Sequence, residues 1–260
     1  MASVDLRALV TGASSGIGAA YARALRARGE RLILVARREA RLAALAEELG
    51  GTEAVARIPE DLADPRGPER LQIEIERRGL AVDVLVNNAG SGDTGPFAEA
   101  PIERLTAMVD LNARAVVELT RRLLPGMIAR RRGRIVNVVS NAAFQPVPFL
   151  GVYAATKSLV LSFTEALATE LRGTGVRVQA LCPGPTDTEF FEVARTGKDL
   201  RIHRLPRMSA EDVVACSLRA LDSGRLVVVP GFANRFLAAA TRLAPRSLAR
   251  RVAAQLYRPR

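Results

Sequence analysis

Short apolar runs that take turns with longer segments of helical periodicity limit this chain more than any other feature of its sequence. Leu6–Thr11 reads as a strand, Ile17–Arg28 as a helix broken by Gly29, and Arg31–Ala36 as a second strand. The alternation continues with a helix near Glu39–Leu49, a strand near Ala54–Pro59, a helix near Pro68–Arg78 and a strand at Val82–Val86. One long helix, Ile102–Arg132, leads to the strand Arg134–Val139. The helix Tyr153–Arg172 leads to the strand Arg177–Cys182, and a last apolar run occupies Leu226–Val229. This order predicts an α/β fold with a parallel, doubly wound sheet of the Rossmann type. With no internal repeat, low-complexity block or linker, residues 1–260 are expected to form a single domain. Ligands of such a sheet bind beyond the carboxyl ends of its strands, so the residues that follow each strand carry the functional reading.

Several functions fall away on composition. Cys182 and Cys216 are the only cysteines and His203 the only histidine, so no zinc cluster, disulfide framework or His-based nucleophilic triad can be assembled; no metal site is expected. No apolar stretch is free enough of charge to span a bilayer, and Met1–Asp5 does not open a signal peptide, which makes the cytoplasm the expected location. The net charge is +11, carried almost wholly by arginine, since Lys157 and Lys198 are the only lysines. Such an excess attracts nucleic acid, anionic membranes or anionic substrates. The arginines are spread over many helix faces and no nucleic-acid recognition motif accompanies them, so no nucleic-acid partner is expected.

Thr11-Gly12-Ala13-Ser14-Ser15-Gly16-Ile17-Gly18 follows the first strand and opens the first helix. Three glycines in the spacing G-x3-G-x-G allow a tight turn and a close approach of backbone N–H groups to a pyrophosphate at the positive end of a helix. Gly12, Ser14, Ser15, Gly16, Ile17 and Gly18 are therefore candidate dinucleotide contacts. After the second strand, where an acidic residue would bind the ribose hydroxyls of NAD, stand Arg37 and Arg38. Arginines there suit the 2′-phosphate of NADP(H), with Ser14 as a further donor.

Taken together, Thr11–Gly18, Asn87-Asn88-Ala89-Gly90, Ser140, Tyr153-Ala154-Ala155-Thr156-Lys157 and Pro183-Gly184 stand in the order found in the short-chain dehydrogenase/reductase family, which the chain resembles from residue 6 to about 190. The resemblance implies an NADP(H)-dependent oxidoreductase, acting on a small carbonyl or alcohol substrate and assembling as a homo-oligomer. The chemistry agrees with it. Hydride transfer to a carbonyl builds charge on oxygen and needs a proton donor beside it, which Tyr153 can be. Lys157, at i+4 on the same helix face, brings an ammonium that favours the phenolate, and the family places it on the nicotinamide ribose as well. Ser140, closing its strand, can bond the substrate oxygen. By resemblance alone, Asn112 holds a relay water near the lysine, Asp61 and Leu62 border the adenine, and Asn88, Ala89 and Gly90 line the middle of the cofactor. Pro183, Gly184, Thr186 and Thr188 meet the nicotinamide carboxamide on the same ground. A non-catalytic NADP(H)-binding regulator on the same fold is the competing reading, against which the intact Ser140, Tyr153 and Lys157 set speaks.

The segment Glu189–Met208, with Phe190, Phe191, His203 and Leu205, is expected to cover the substrate. Phe144, Val147, Phe149 and Leu150 are expected to join it in an apolar pocket for an aliphatic, steroid-like or 3-oxoacyl thioester ketone. Residues 232–260 depart from the family's usual ending and read as a helical extension. Phe236, Leu237, Ala240, Leu243 and Ala244 share one stripe, Pro245 interrupts, and Leu248, Val252 and Leu256 form a second. A tail packed on the body or on a partner subunit is the expectation, with a helix lying on a membrane surface as the alternative.

Overall fold

Seven strands pair in parallel in the order β3-β2-β1-β4-β5-β6-β7 in the computed structural model, which describes residues 7–197 and 200–258. They are β1 (Arg7–Thr11), β2 (Arg31–Ala36), β3 (Val55–Pro59), β4 (Val84–Asn87), β5 (Gly133–Val138), β6 (Val176–Leu181) and β7 (Val227–Val228). Leu6, the expected start of the first strand, lies outside the described residues. Between the strands run α1 (Gly16–Ala27), α2 (Glu39–Glu48), a single turn α3 (Gly51–Ala54), α4 (Gly67–Arg77), α5 (Ile102–Val109), α6 (Ala115–Ala129), α7 (Gly151–Glu170), the short α8 (Phe190–Val193) and α9 (Ala210–Asp222). The doubly wound α/β sheet expected from the alternation is thus present.

Successive strand residues face opposite layers, and this divides the core in two. Ala8 and Val10 of β1 with Leu32 and Leu34 of β2 pack beneath α1, α2 and α9. Leu9, Ile33 and Val35 pack on the other side beneath α4, α6 and α7. The chain leaves β1 toward β2 and β3 and later returns to β1's other side as β4, so the switch point lies between β1 and β4. Behind it, a buried polar line crosses the sheet. Asn87 Nδ2 donates to Thr120 Oγ1 (3.2 Å) and to Asn137 Oδ1 (2.9 Å), and Asn137 Nδ2 donates to Thr164 Oγ1 (2.8 Å).

Two segments differ from their sequence expectation. The single helix over Ile102–Arg132 is instead α5, a π-helical turn at Asp110–Arg114, and α6. The wider turn buries Asn112 completely, an arrangement typical of functional positions. The C-terminal extension is helical and divided at Pro245 as expected, into α10 (Phe232–Leu243) and α11 (Arg246–Tyr257). Only part of the expected stripes meets the body. The buried residues are Ala238, Ala249 and Ala253, whereas Phe236, Leu243, Leu248 and Val252 are exposed. Small side chains let the helix backbones approach the body, which leaves these four larger side chains outward while Leu237 and Leu256 of the same stripes face inward. No helix among the described residues is long and apolar enough to cross a membrane.

Candidate active site

The glycine turn is built by backbone demands that only glycine meets. Gly12 and Gly16 have φ of 64° and 53°, and a Cβ on Gly18 would overlap the Gly12 carbonyl oxygen. A Cβ on Gly12 would stand 2.8 Å from Asn88 Nδ2, and one on Gly16 2.9 Å from Thr188 Cγ2. Thr11, which the sequence did not single out, fastens this turn to the end of β4. Its hydroxyl donates to the Val86 carbonyl (3.2 Å) and accepts the N–H groups of Asn88 (2.9 Å) and Ala89 (3.0 Å). Asn88 Nδ2 in turn donates to the carbonyls of Thr11 (2.9 Å) and Gly12 (3.3 Å). The first N–H groups of α1, which have no partner inside the helix, begin at a cleft lined by Gly12, Ser14, Ser15, Gly16 and Ile17.

The two arginines after β2 take different directions. Arg38 spans the glycine turn: Nη2 donates to Ser14 Oγ (3.0 Å) and Ser15 Oγ (2.7 Å), and Nε to Ser14 Oγ (3.1 Å). Its Nη1 reaches Glu189 Oε2 at 2.8 Å, and Arg41, not noticed in the sequence, reaches Glu189 Oε1 at 2.6 Å. Both guanidinium groups hold the Glu189 carboxyl below the usual carboxylate range. Arg37 faces Asp61 instead, with Nη1 3.7 Å from Oδ2, and is 68% exposed. Leu62 is buried beside them.

Ser140 follows β5 and caps the short turn Asn141–Phe144, its Oγ accepting the Ala142 N–H at 3.1 Å. Tyr153 and Lys157 lie one turn apart on α7, both buried. Burial pushes the Tyr153 phenol up to about 12, partly offset by a hydrogen bond with Ser140, and draws the Lys157 ammonium down to about 8. The expected help of Lys157 to the phenolate is thus set against a larger cost of burial. Lys157 Nζ donates to the Val138 carbonyl at 2.8 Å and lies 5.7 Å from the centre of the tyrosine ring. Desolvation, which disfavours the charged form, is the leading cause of both shifts.

Asn112 stands behind this pair. Its Oδ1 accepts the Ser91 N–H (2.9 Å), and its Nδ2 donates to the Ser91 carbonyl (2.8 Å) and to Thr156 Oγ1 (3.3 Å). A Cβ on Gly90 would come within 3.2 Å of Asn112 Oδ1 and 3.4 Å of Lys157 Nζ, so this glycine separates the two. Asn112 does not line the cleft itself. The cleft, about 590 Å³, joins the glycine turn, Arg37, Arg38, Asp61, Leu62 and Asn88–Gly90 to Ser140, Tyr153 and Lys157. Pro183, Gly184, Thr186 and Thr188 border its inner half. Thr186 Oγ1 donates to the Gly184 carbonyl at 3.0 Å.

The outer half is apolar, with some changes of cast. Phe190 sits 5.2 Å, centre to centre, from the Tyr153 ring. Phe191, Leu205, Val147 and Leu150 line the space as expected. Phe144 packs instead into the core around α7, Phe149 is not part of the lining, and His203 stands behind Phe191 at 5.3 Å. The unforeseen wall is the C-terminal extension, which contributes Leu237, Leu256 and Tyr257. Tyr257 packs against the cluster that contains Tyr153, where burial pushes its phenol pKa up. On the same side, a Cβ on Gly184 would overlap the Asn234 side chain of α10. No sequence signal pointed to Tyr257 or Asn234, since both are brought to the cleft by the docking of α10 and α11.

A parallel doubly wound sheet with a glycine turn at its switch point, and a Tyr-x3-Lys helix facing that turn, defines a dinucleotide-dependent oxidoreductase. The chain belongs to the short-chain dehydrogenase family, whose model matches residues 7–199. It is 38% identical over 193 residues to the NADP-dependent 3-hydroxy acid dehydrogenase YdfG of Salmonella typhi, covering 74% of this chain and 77% of that one. A short-chain dehydrogenase from Sphingobium yanoikuyae, solved in complex with NADPH, superposes with a TM-score of 0.81 at 34% identity, over 92% of this chain and 93% of that one. The bulky-bulky ketone specific alcohol dehydrogenase from Comamonas testosteroni superposes at 0.76 with 30% identity, over 92% and 94%.

Proposed function

We propose that this enzyme interconverts a hydrophobic ketone or aldehyde and its alcohol by hydride transfer with NADP(H), Tyr153 moving the proton. The observation that carries the reading is the single cleft in which Ser140, Tyr153 and Lys157 face a glycine turn spanned by Arg38. The residues present fit the cofactor. Gly12, Gly16 and Gly18 leave a cradle that a Cβ would fill. Arg38 with Ser14 offers charge-assisted donors for the 2′-phosphate, Arg37, Asp61 and Leu62 border the adenine, and Asn88, Ala89 and Gly90 line the middle. Lys157 is placed for the nicotinamide ribose, and Pro183, Gly184, Thr186 and Thr188 for the carboxamide. When bound, NADPH supplies the hydride.

In the reductive direction Tyr153, held neutral by burial, gives its phenolic proton to the oxygen as charge develops there, and Ser140 donates a hydrogen bond to the same oxygen. Lys157 lies behind the phenol to restore its proton, with Asn112 positioning the segment Gly90–Ser91 beside it. Phe190 and the C-terminal helices exclude water from the reacting atoms. The apolar outer half suits an aliphatic, steroid-like or 3-oxoacyl thioester substrate, in keeping with the hydroxy-acid and bulky-ketone specificities in the names of the relatives. Assembly with further copies fits the apolar side chains exposed on α5, α6 and α7, among them Ile102, Val109 and Leu159. A panel of ketones and alcohols assayed with NADPH, NADH and their oxidised forms tests the reading. Turnover confined to polar substrates, or equal use of NADH, would contradict it.

A further inference from the structure

The C-terminal extension concentrates the chain's charge. Residues 232–260 contain seven arginines and no acidic residue, so seven of the eleven net positive charges lie there. Arg235, Arg246, Arg250, Arg251 and Arg258 are all exposed, and none of them makes an ion pair among the described residues. Many arginines of the body are instead paired, among them Arg23 with Glu48, Arg70 with Glu60 and Arg114 with Asp110. Between the unpaired cations stand large apolar side chains that nothing in the subunit covers. On α10, Phe232, Phe236 and Leu243 are 77%, 69% and 89% exposed, and their spacing of four and seven residues keeps them on one helix face. On α11, Leu248 and Val252, again four apart, are 52% and 50% exposed. Both helices line the mouth of the same cleft, through Leu237 on one and Leu256 on the other.

We infer that α10 and α11 form a docking surface for an anionic lipid bilayer, with the aromatic and aliphatic side chains entering the headgroup region and the arginines pairing with lipid phosphates and carboxylates. Arginine around exposed Phe and Leu on an amphipathic helix is the pattern of interfacial binding, and an acidic surface attracts each such cation. A second copy of the chain is a poor occupant. In a two-fold interface the same patch faces itself, which would set these uncompensated arginines against their equals. A nucleic acid would answer the charge but leave the apolar residues without a partner. The surface is independent of the proposed reaction, and its consequence is that the cleft opens beside the bilayer.

Flotation of the full-length protein with liposomes of phosphatidylcholine alone, or with phosphatidylserine at about a third of the lipid, tests the inference. Binding is expected only to the anionic liposomes, and should fall steeply as sodium chloride is raised. Arg246→Gln/Arg250→Gln/Arg251→Gln should weaken it roughly 100-fold, at about fivefold per arginine. Phe236→Ser/Leu243→Ser should abolish it with the melting temperature unchanged, since both side chains are already in solvent. Absence of binding to anionic liposomes, or equal binding to neutral ones, would overturn the inference. So would dissociation of a dimer by Phe236→Ser/Leu243→Ser, which would make the face a contact between copies. Loss of heparin binding in the arginine variant, with liposome binding intact, would reassign the surface to another polyanion.

Discussion

The glycine turn and the C-terminal helices border one cleft, yet they obey different rules. In the turn, backbone geometry dictates residue type: positive φ at Gly12 and Gly16, and the contact of Gly18 with the Gly12 carbonyl, leave no alternative to glycine. In the extension, the backbone is ordinary helix and the residues are exchangeable in kind. What matters there is which face docks, and alanines decide it by allowing close approach. A motif of the first sort can be read from a chain because its constraint is local. The second sort is a competition between faces that only the assembled body settles.

The contrast can be sharpened by substitution, beginning with the largest effect. Tyr153→Phe keeps the ring and removes the proton, and kcat should fall by about 10²–10⁴-fold or more while NADPH affinity changes little. Steady-state kinetics beside cofactor titration checks this, and near-normal turnover would defeat the assignment. Next, the two arginines should separate. Arg38→Ala should reduce the preference for NADPH over NADH by about 10–100-fold, the worth of a charge-assisted hydrogen bond or two. Arg37→Ala, at an exposed position facing Asp61, should change it far less. Equal effects would show that the turn does not discriminate between them as the geometry implies.

At the other border, Tyr257→Ala should raise KM for a bulky apolar ketone by about tenfold, the scale of one aromatic wall lost from a pocket, with kcat for a small ketone nearly unchanged. An equal loss for both substrates would mean that α11 acts on Tyr153 rather than on the substrate. The smallest effect concerns pH. Lys157 has a folded pKa of about 8, below its ordinary 10.5. Between these values the unfolded chain binds more protons than the folded one, so this group's contribution to stability rises with pH across that window. Urea unfolding of the wild type and Lys157→Met at pH 7 and pH 9.5 should show the wild type gaining on the variant, by on the order of 1 kcal/mol. A constant difference would mean that the lysine is not desolvated.

Much of the molecule was legible in order of sequence. The alternation of apolar and amphipathic segments specified the sheet, because strands and helices bury apolar surface with different periods. Gly12, Gly16 and Gly18 specified the turn because no other residue fits it. Tyr153 and Lys157 specified a shared face because a helix repeats every 3.6 residues. Three things were decided only by tertiary structure. The π-helical turn that buries Asn112 depends on what the helix meets, namely Ser91 and Thr156. The division of labour between Arg38 and Arg37 depends on Ser14, Glu189 and Asp61, which come from other parts of the chain. The place of Tyr257 beside Tyr153 depends on two helices docking through Ala238, Ala249 and Ala253, with Phe236, Leu243, Leu248 and Val252 left outside. Periodicity tells that a helix has an apolar face; it does not tell whether that face or a smoother one offers the closer fit, because the answer lies in the surface it meets.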